Sequence, residues 1–133
     1  AEEIKVAIGS AWPVQDGVKA EVRGRDLMSG LPKTVILSPE EVREAIAEPV
    51  SAIVASVISC LGEAPPELAH DLIVRGMHLV GGGGMLKGLA KRIAEETSIP
   101  VTLVDAPLEC VVLGAGRCIE HYDQLRVMFM GAR

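Results

Sequence analysis

The stretch that decides the fold is a run of four glycines between two apolar segments, Leu79-Val80-Gly81-Gly82-Gly83-Gly84-Met85-Leu86-Lys87-Gly88-Leu89. Residues 77–80 predict a strand, and residues 85–98 predict a helix. A strand that turns through glycines into a helix presents backbone N–H groups and a positive helix terminus to a flat or anionic ligand. The turn therefore indicates a nucleotide site, and a plain tight β–α connection is the equal alternative.

Two common nucleotide motifs do not match this turn. The dinucleotide fingerprint G-x-G-x-x-G fails because the registers that start at Gly81 and Gly82 have Leu86 and Lys87 in the sixth position. The Walker A pattern fails because Gly-Lys-Ser/Thr occurs nowhere in the sequence. Asp105 does follow the next predicted strand at a suitable distance, so a Rossmann-like oxidoreductase is an alternative, which the failed register disfavours.

Composition narrows the class of protein. The chain has 133 residues, 49% of them hydrophobic but only 2% aromatic, so the core must consist of aliphatic side chains. Its net charge of −5, without a basic stripe, argues against a nucleic-acid partner. The longest uncharged stretch, 49–62, falls short of the roughly 18 residues that suggest a membrane span. Cys60, Cys110 and Cys118 lack metal-ligand spacing, so we expect buried reduced thiols and a cytoplasmic setting.

The first part of the chain predicts a helix end and a hairpin. Residues 1–9 indicate a helix that ends at Gly9, and Ala11–Gly17 indicates a loop. Apolar and charged residues alternate over 18–22, and 33–37 is a second strand-like run, so the two should pair as an antiparallel hairpin. The chain opens without Met inside an amphipathic helix, and we expect an amino-terminal portion to precede it.

The rest of the chain predicts alternating helices and strands. Ser38-Pro39-Glu40-Glu41 is a helix start, and the helix that follows should bend at Pro49. Pro65-Pro66 starts a short helix over 67–72. From Met77 we predict a strand over 77–80, a helix over 85–98, a strand over 101–104 and a helix over 107–123 that opens on Pro107. This is an α/β pattern with parallel strands, whose carboxyl ends usually hold the ligand.

Several segments together resemble the MreB family of bacterial actin-like, rod-shape-determining proteins. The resemblance begins with Ala1-Glu2-Glu3-Ile4-Lys5 and Ile8-Gly9-Ser10-Ala11, which are similar to the family's A-E-x-I-K and I-G-S-A stretches. It continues through Val22-Arg23-Gly24-Arg25, Glu48-Pro49, Arg75-Gly76-Met77, the glycine turn, Asp105-Ala106-Pro107-Leu108-Glu109-Cys110-Val111 and Gly114-Ala115-Gly116. The glycine turn alone is shared with heat-shock chaperones, and a chaperone is therefore a second alternative.

The resemblance implies the carboxyl-terminal half of an actin-like ATPase domain with a ribonuclease H-like fold. Residues 1–40 would be subdomain IIB, with the helix end and the hairpin, and residues 41–133 would be the nucleotide-binding part of subdomain IIA. In such proteins ATP lies between two domains and the subunits assemble into filaments. The hairpin and the surface around 67–75 would then lie near the contact between successive subunits.

The resemblance also assigns a cofactor site. Glu2 and Lys5 would face the adenosine of ATP, and Gly81, Gly82 and Gly83 would enclose the adenosine and the α-phosphate. Gly84 and Met85 would continue that contact. The alternative for the acidic and basic pair is an ordinary solvated ion pair.

The resemblance places the remaining chemistry outside this chain. The two phosphate-binding loops, the acidic residue associated with Mg²⁺ and the residue that positions the attacking water would all lie upstream. We therefore expect no catalytic residue and no metal ligand here, and no ATP hydrolysis by this chain alone. The implied partners are other copies of the subunit, cell-wall synthesis proteins and membrane proteins, at the inner face of the cell membrane.

Overall fold

The computed structural model describes residues 1–14 and 17–130, without the side chains of 128–130. Two residues of the predicted loop Ala11–Gly17, and the end of the predicted second subdomain, lie outside that description. The elements in chain order are α1 (Glu2–Ile8), β1 (Ala20–Arg25), β2 (Pro32–Leu37), α2 (Pro39–Ala45), α3 (Ala47–Gly62), α4 (Pro66–Arg75), β3 (Met77–Leu79), α5 (Gly81–Gly84), α6 (Leu89–Thr97), β4 (Val101–Leu103), α7 (Cys110–Glu120) and α8 (Tyr122–Met130). The predicted α/β class is confirmed.

The predicted hairpin is present, and its turn is organised by one aspartate. Strands β1 and β2 are antiparallel neighbours. The Asp26 carboxylate accepts hydrogen bonds from the backbone N–H groups of Met28 at 3.0 Å and Ser29 at 2.9 Å, and it pairs with the Lys33 ammonium at 3.1 Å. The Ser29 amide, then Lys33, hold the pKa of the Asp26 carboxyl below its ordinary value. The turn is thus fixed by local polar contacts and not by burial.

The predicted helix start at Ser38 is confirmed in detail. The Ser38 hydroxyl accepts from the Glu41 amide at 3.2 Å, and the Glu41 carboxylate accepts from the Ser38 amide at 2.8 Å, which is a complete capping box. The same contacts with Ser38 lower the pKa of Glu41. The helix then breaks at Ile46 into α2 and α3, bent by 58°. The predicted bend is therefore real, and it falls just ahead of Pro49, which cannot donate to the carbonyl of Ala45.

The predicted β-α-β unit is confirmed, and the core lies beside it. Strands β3 and β4 pair in parallel, with Met77 opposite Val101 and Leu79 opposite Leu103. Helix α6 packs against β4, and α3 packs against α6. The buried core cluster is aliphatic, as the composition predicted, and consists of Ala11, Val50, Val54, Leu89 and Ile93. Within the described residues, no single helix is long and apolar enough to cross a membrane, although α2 and α3 satisfy the length and composition together as a bent pair.

The predicted boundary at the glycines is wrong. We expected the glycines to form a turn and a helix to run from Met85 to Ser98. Instead the glycines themselves form the short helix α5, and the turn lies between Met85 and Gly88. The reason is Gly88, which has φ +76° and sits against Trp12, where a β-carbon would come within 2.6 Å of the Trp12 Cβ. A residue in the left-handed conformation cannot continue a right-handed helix, so α6 begins only after Gly88.

Two other predictions need correction. The last helix was expected to open on Pro107 and run to 123, but α7 begins at Cys110 and a break at His121 separates it from α8. The Pro107 carbonyl accepts instead from the Gly81 amide at 2.7 Å, which ties this loop to the glycines.

Buried thiols were also expected. All three cysteines are free, but Cys60 is exposed on α3 and the others are half-buried.

Candidate nucleotide site

The acidic and basic pair of α1 forms as its spacing predicts. The Lys5 ammonium lies 2.8 Å from the Glu2 carboxylate, and the two side chains are 45% and 74% exposed. Exposed ion pairs contribute little to stability, so a ligand can exchange with this one at small cost. A carboxylate accepts hydrogen bonds from hydroxyl groups, and an ammonium donates to ring nitrogens or phosphate oxygens. The pair is therefore suited to a polar ligand that approaches α1 from solvent.

Gly82 and Gly83 present an open backbone surface. Both are exposed and lie in the first turn of α5, where amide groups lack an acceptor within the helix. A β-carbon at Gly83 would meet nothing within 4 Å, and one at Gly82 would meet only Leu108 Cδ2 at 3.4 Å. Gly81 has φ +78°, a conformation that glycine adopts without strain. These residues leave room for a ligand to reach bare amide donors.

The two remaining predicted site residues differ in their exposure to solvent. Gly84 is buried, and a β-carbon there would lie 2.9 Å from Leu79 Cγ, so its small size serves the packing of α5 on β3. Met85 is 51% exposed. Its flexible thioether side chain is free to lie against an apolar ring.

The two predicted halves of the site are joined by residues that the sequence reasoning missed. The Lys87 ammonium donates to the Ala7 carbonyl in the last turn of α1 at 2.7 Å. The Lys87 carbonyl in turn accepts from the Ala11 amide at 2.8 Å. Ser10, the single buried polar residue among those described, lies at the same junction. The only sign of this junction in the sequence is the small hydroxyl residue between Gly9 and Ala11. The turn after the glycines is thus attached to the carboxyl end of α1.

Metal ligands are not grouped in the described part of the chain. No set of three or more His, Cys, Asp or Glu side chains there is close enough to hold an ion. His70, His78 and His121 lie apart on α4, on β3 and at the α7–α8 break. The candidate site consists of amide groups, one ion pair and one thioether, which is a set suited to binding.

Known proteins resemble this chain along nearly its whole length. The family described as MreB/Mbl protein matches residues 1–127. The cell shape-determining protein MreB of Escherichia coli (strain K12) is 46% identical over 123 residues, which are 92% of this chain and 35% of that protein. The cell shape-determining protein Mbl of Bacillus subtilis (strain 168) is 39% identical over 125 residues, 94% of this chain and 38% of that protein. The chain therefore spans little more than a third of these relatives.

The fold agrees with solved structures of the same family. MreB5 of Spiroplasma citri bound to ADP superposes with a TM-score of 0.85 at 31% identity, over 96% of this chain and 38% of that one. The same protein bound to AMPPNP gives a TM-score of 0.84 over 92% of this chain and 37% of that one. The actin-like fold inferred from the motifs is thus confirmed, and neither the chaperone nor the oxidoreductase alternative receives support. This chain is a member of the MreB/Mbl family.

Proposed function

We propose that this chain is the carboxyl-terminal part of an ATP-binding, actin-like protein that forms filaments and determines rod cell shape. One observation carries the proposal: α1, with its exposed Glu2–Lys5 pair, is attached through Lys87 to the turn after Gly82 and Gly83. This attachment supports the proposal that the two predicted halves of the nucleoside site contact the same ligand. The fold that holds them is the fold of a protein solved with ADP and with AMPPNP.

The residues present fit the nucleoside end of ATP. The Glu2 carboxylate can accept from ribose hydroxyls, and Lys5 can donate to the base or the α-phosphate. The free amides of Gly82 and Gly83 can donate to phosphate oxygens, since no β-carbon shields them. Met85 can cover one face of the base. In this proposal Mg²⁺ and the phosphate chemistry belong to residues outside the chain, as the motif resemblance implies.

The proposal divides the chain into two subdomains. Residues 1–40 would carry α1 and the hairpin as subdomain IIB, and residues 41–133 would form the nucleotide-binding part of subdomain IIA. The motif resemblance supports this division, and so does the difference in packing. Four of the five members of the buried core cluster lie after residue 41, and Ala11 is the fifth.

Self-association into filaments is supported by apolar side chains that nothing in the described chain covers. Leu27 and Met28 are 101% and 97% exposed at the hairpin tip, where the Asp26 contacts fix the backbone. On α4, Ile73 and Val74 are also exposed. Solvated apolar tips on a fixed backbone favour docking into another subunit. Successive subunits in contact through different surfaces would give an open-ended filament.

In this proposal the filament lies at the inner face of the cell membrane. There the filament would organise cell-wall synthesis through membrane proteins and cell-wall synthesis proteins. The names of the relatives, which are cell shape-determining proteins, support this role.

The test uses the full-length protein that contains this chain. With ATP, we expect filaments in electron micrographs and in the pellet after high-speed centrifugation, and none without nucleotide. The double variant Leu27→Ser, Met28→Ser should bind ATP normally but pellet poorly. The variant Lys5→Met should bind ATP weakly and require more of it to pellet. Wild-type protein that neither binds ATP nor assembles would overturn the proposal.

A further inference from the structure

We propose that Ser10 and Lys87 are positioning residues, which fix the distance between α1 and the glycine helix α5 and thereby set nucleotide affinity without touching the nucleotide. The inference rests on the nucleotide site proposed above. It adds two residues that act through Glu2, Lys5 and the glycines.

The first link is a buried hydroxyl. Ser10 is 2% exposed, and its Oγ lies 2.6 Å from the Trp12 carbonyl oxygen and 3.1 Å from the Lys87 carbonyl oxygen. The hydroxyl hydrogen can be donated to either oxygen, and Oγ accepts from the Trp12 amide at 3.3 Å. Backbone pairing reinforces this contact, because Ser10 and Lys87 form a parallel bridge and the Ala11 amide donates to the Lys87 carbonyl. Removal of the hydroxyl would take this partner from the Trp12 amide and carbonyl, whereas the Lys87 carbonyl would keep the Ala11 amide.

The second link is the Lys87 side chain itself. Its ammonium reaches the Ala7 carbonyl at 2.7 Å, across 80 positions of the sequence. Ala7 lies in the last turn of α1, where carbonyls lack N–H donors within the helix and carry partial negative charge. A lysine at that end neutralises the charge and holds the helix end at the same time.

The third feature is close packing at the same place. Gly88 approaches Trp12 so closely that a β-carbon would fall within 2.6 Å of Trp12 Cβ and 3.0 Å of its amide nitrogen. The Lys91 ammonium lies 5.3 Å from the centre of the Trp12 ring, within cation–π range. The turn from 85 to 88 therefore has little freedom to move away from the segment 10–12.

These links lie next to the proposed ligand contacts on both sides. Lys87 follows Gly84 closely, and Ala7 follows Lys5 closely. A shift of the junction would therefore change the spacing between the Lys5 ammonium and the Gly82 amide. A rigid spacing avoids the ordering cost that binding would otherwise carry. Ser10 and Lys87 would thus contribute to affinity by preorganisation.

The test measures ATP affinity of the full-length protein with a fluorescent ATP analogue and with isothermal titration. Lys87→Met should weaken binding about two- to fivefold, because the lost hydrogen bond is exposed, and Ser10→Ala about fivefold or more, because that hydroxyl is buried. Lys87→Arg retains a donor and should bind within about twofold of wild type. Lys19→Met, which removes an exposed lysine that takes part in none of these links, is the charge-matched control and should bind as wild type does.

A double-mutant cycle separates positioning from a general loss of stability. If Lys87 acts through α1, the loss in the double variant Lys5→Met, Lys87→Met should be clearly smaller than the product of the two single losses. Three results would overturn the inference. The first is that the two losses multiply, as independent losses do. The others are that Lys87→Met and Ser10→Ala both bind ATP like wild type, or that Lys87→Arg binds as weakly as Lys87→Met. If Lys5→Met also binds like wild type, the proposed nucleotide site itself is wrong, which is a different failure.

Discussion

The hairpin and the core of this chain are stabilised in opposite ways. In the hairpin of β1 and β2, Leu27 and Met28 are almost completely exposed, and order comes from the polar contacts of Asp26. In the core, Val54 and Ile93 are 0% and 2% exposed, and order comes from burial between α3, α6 and the parallel pair.

The two regions should tolerate substitution to different degrees. Burial of a branched side chain contributes about 1.5–3 kcal/mol, whereas one exposed polar contact contributes about 1 kcal/mol or less. Substitutions in the core should therefore cost more stability than matched substitutions in the hairpin. Matched substitutions in the two regions test this difference.

The largest effect is expected from a large-to-small change in the core. Ile93→Ala should lower the free energy of unfolding by about 3 kcal/mol, because the cavity lies among closely packed residues. The same substitution at Ile36, which is 64% exposed on β2, should cost less than about 0.5 kcal/mol. Urea unfolding of the full-length protein measures both. Equal losses at the two positions would show that the hairpin is buried in the working protein.

Two glycines with similar backbone angles make a finer comparison. Gly88 has φ +76° and Gly30 has φ +70°, so alanine is strained by about 1 kcal/mol or more at each. Gly88→Ala also drives a β-carbon against Trp12, whereas at Gly30 the nearest atom is Arg25 Nη2 at 3.7 Å. Gly88→Ala should therefore cost about 2 kcal/mol or more, and Gly30→Ala about half of that. Thermal unfolding that ranks them in the reverse order would contradict the close packing at the junction.

The capping box connects the two regions and should have an intermediate effect. Ser38→Ala removes the hydroxyl that accepts from Glu41 and should lower the free energy of unfolding by about 1 kcal/mol. Ser51→Ala, at an exposed position inside α3, should be neutral or slightly stabilising, since alanine has the higher helix propensity. Chemical denaturation measures the free energy of unfolding of both variants. A loss for Ser51→Ala as large as that for Ser38→Ala would contradict a stabilising role of the Ser38 cap.

The smallest effect is the pH dependence of the hairpin turn. Because the pKa of Asp26 is lowered in the folded state, its carboxylate stabilises the turn above its ordinary pKa of 3.8. That stabilisation is lost as the pH falls through the lowered value. We expect the carboxyl carbon resonance of Asp26 to titrate below 3.8, and the Met28 and Ser29 amide resonances to shift with it. In Asp26→Asn those two amides should not titrate; an Asp26 carboxyl that titrates above 3.8 would refute the turn geometry.

Local patterns in the sequence predicted the elements that depend on neighbouring residues. The capping box at Ser38, the alternation before and after the hairpin turn, and the parallel pair around the glycines were all predicted correctly. Each follows from spacing that one segment carries within itself. The motifs also identified the family, and with it the fold.

Contacts between distant segments were beyond the reach of local reasoning. The start of α6 was missed because it depends on Trp12, which lies against Gly88 only in the folded chain. The start of α7 was missed because the Pro107 carbonyl accepts from Gly81. Lys87 and Ser10 were missed as junction residues for the same reason, since nothing near either of them in the sequence shows the partner.

The most direct test asks whether α1 and the glycine helix bind one ligand. Full-length protein labelled with ¹⁵N at glycine and lysine would be titrated with ATP, and the Lys5, Gly82 and Gly83 resonances followed by NMR. The account predicts that all three shift together with one dissociation constant, while Gly62, at the exposed end of α3, does not move. Glycine resonances that shift while Lys5 stays unchanged, or the reverse, would contradict a shared nucleotide site.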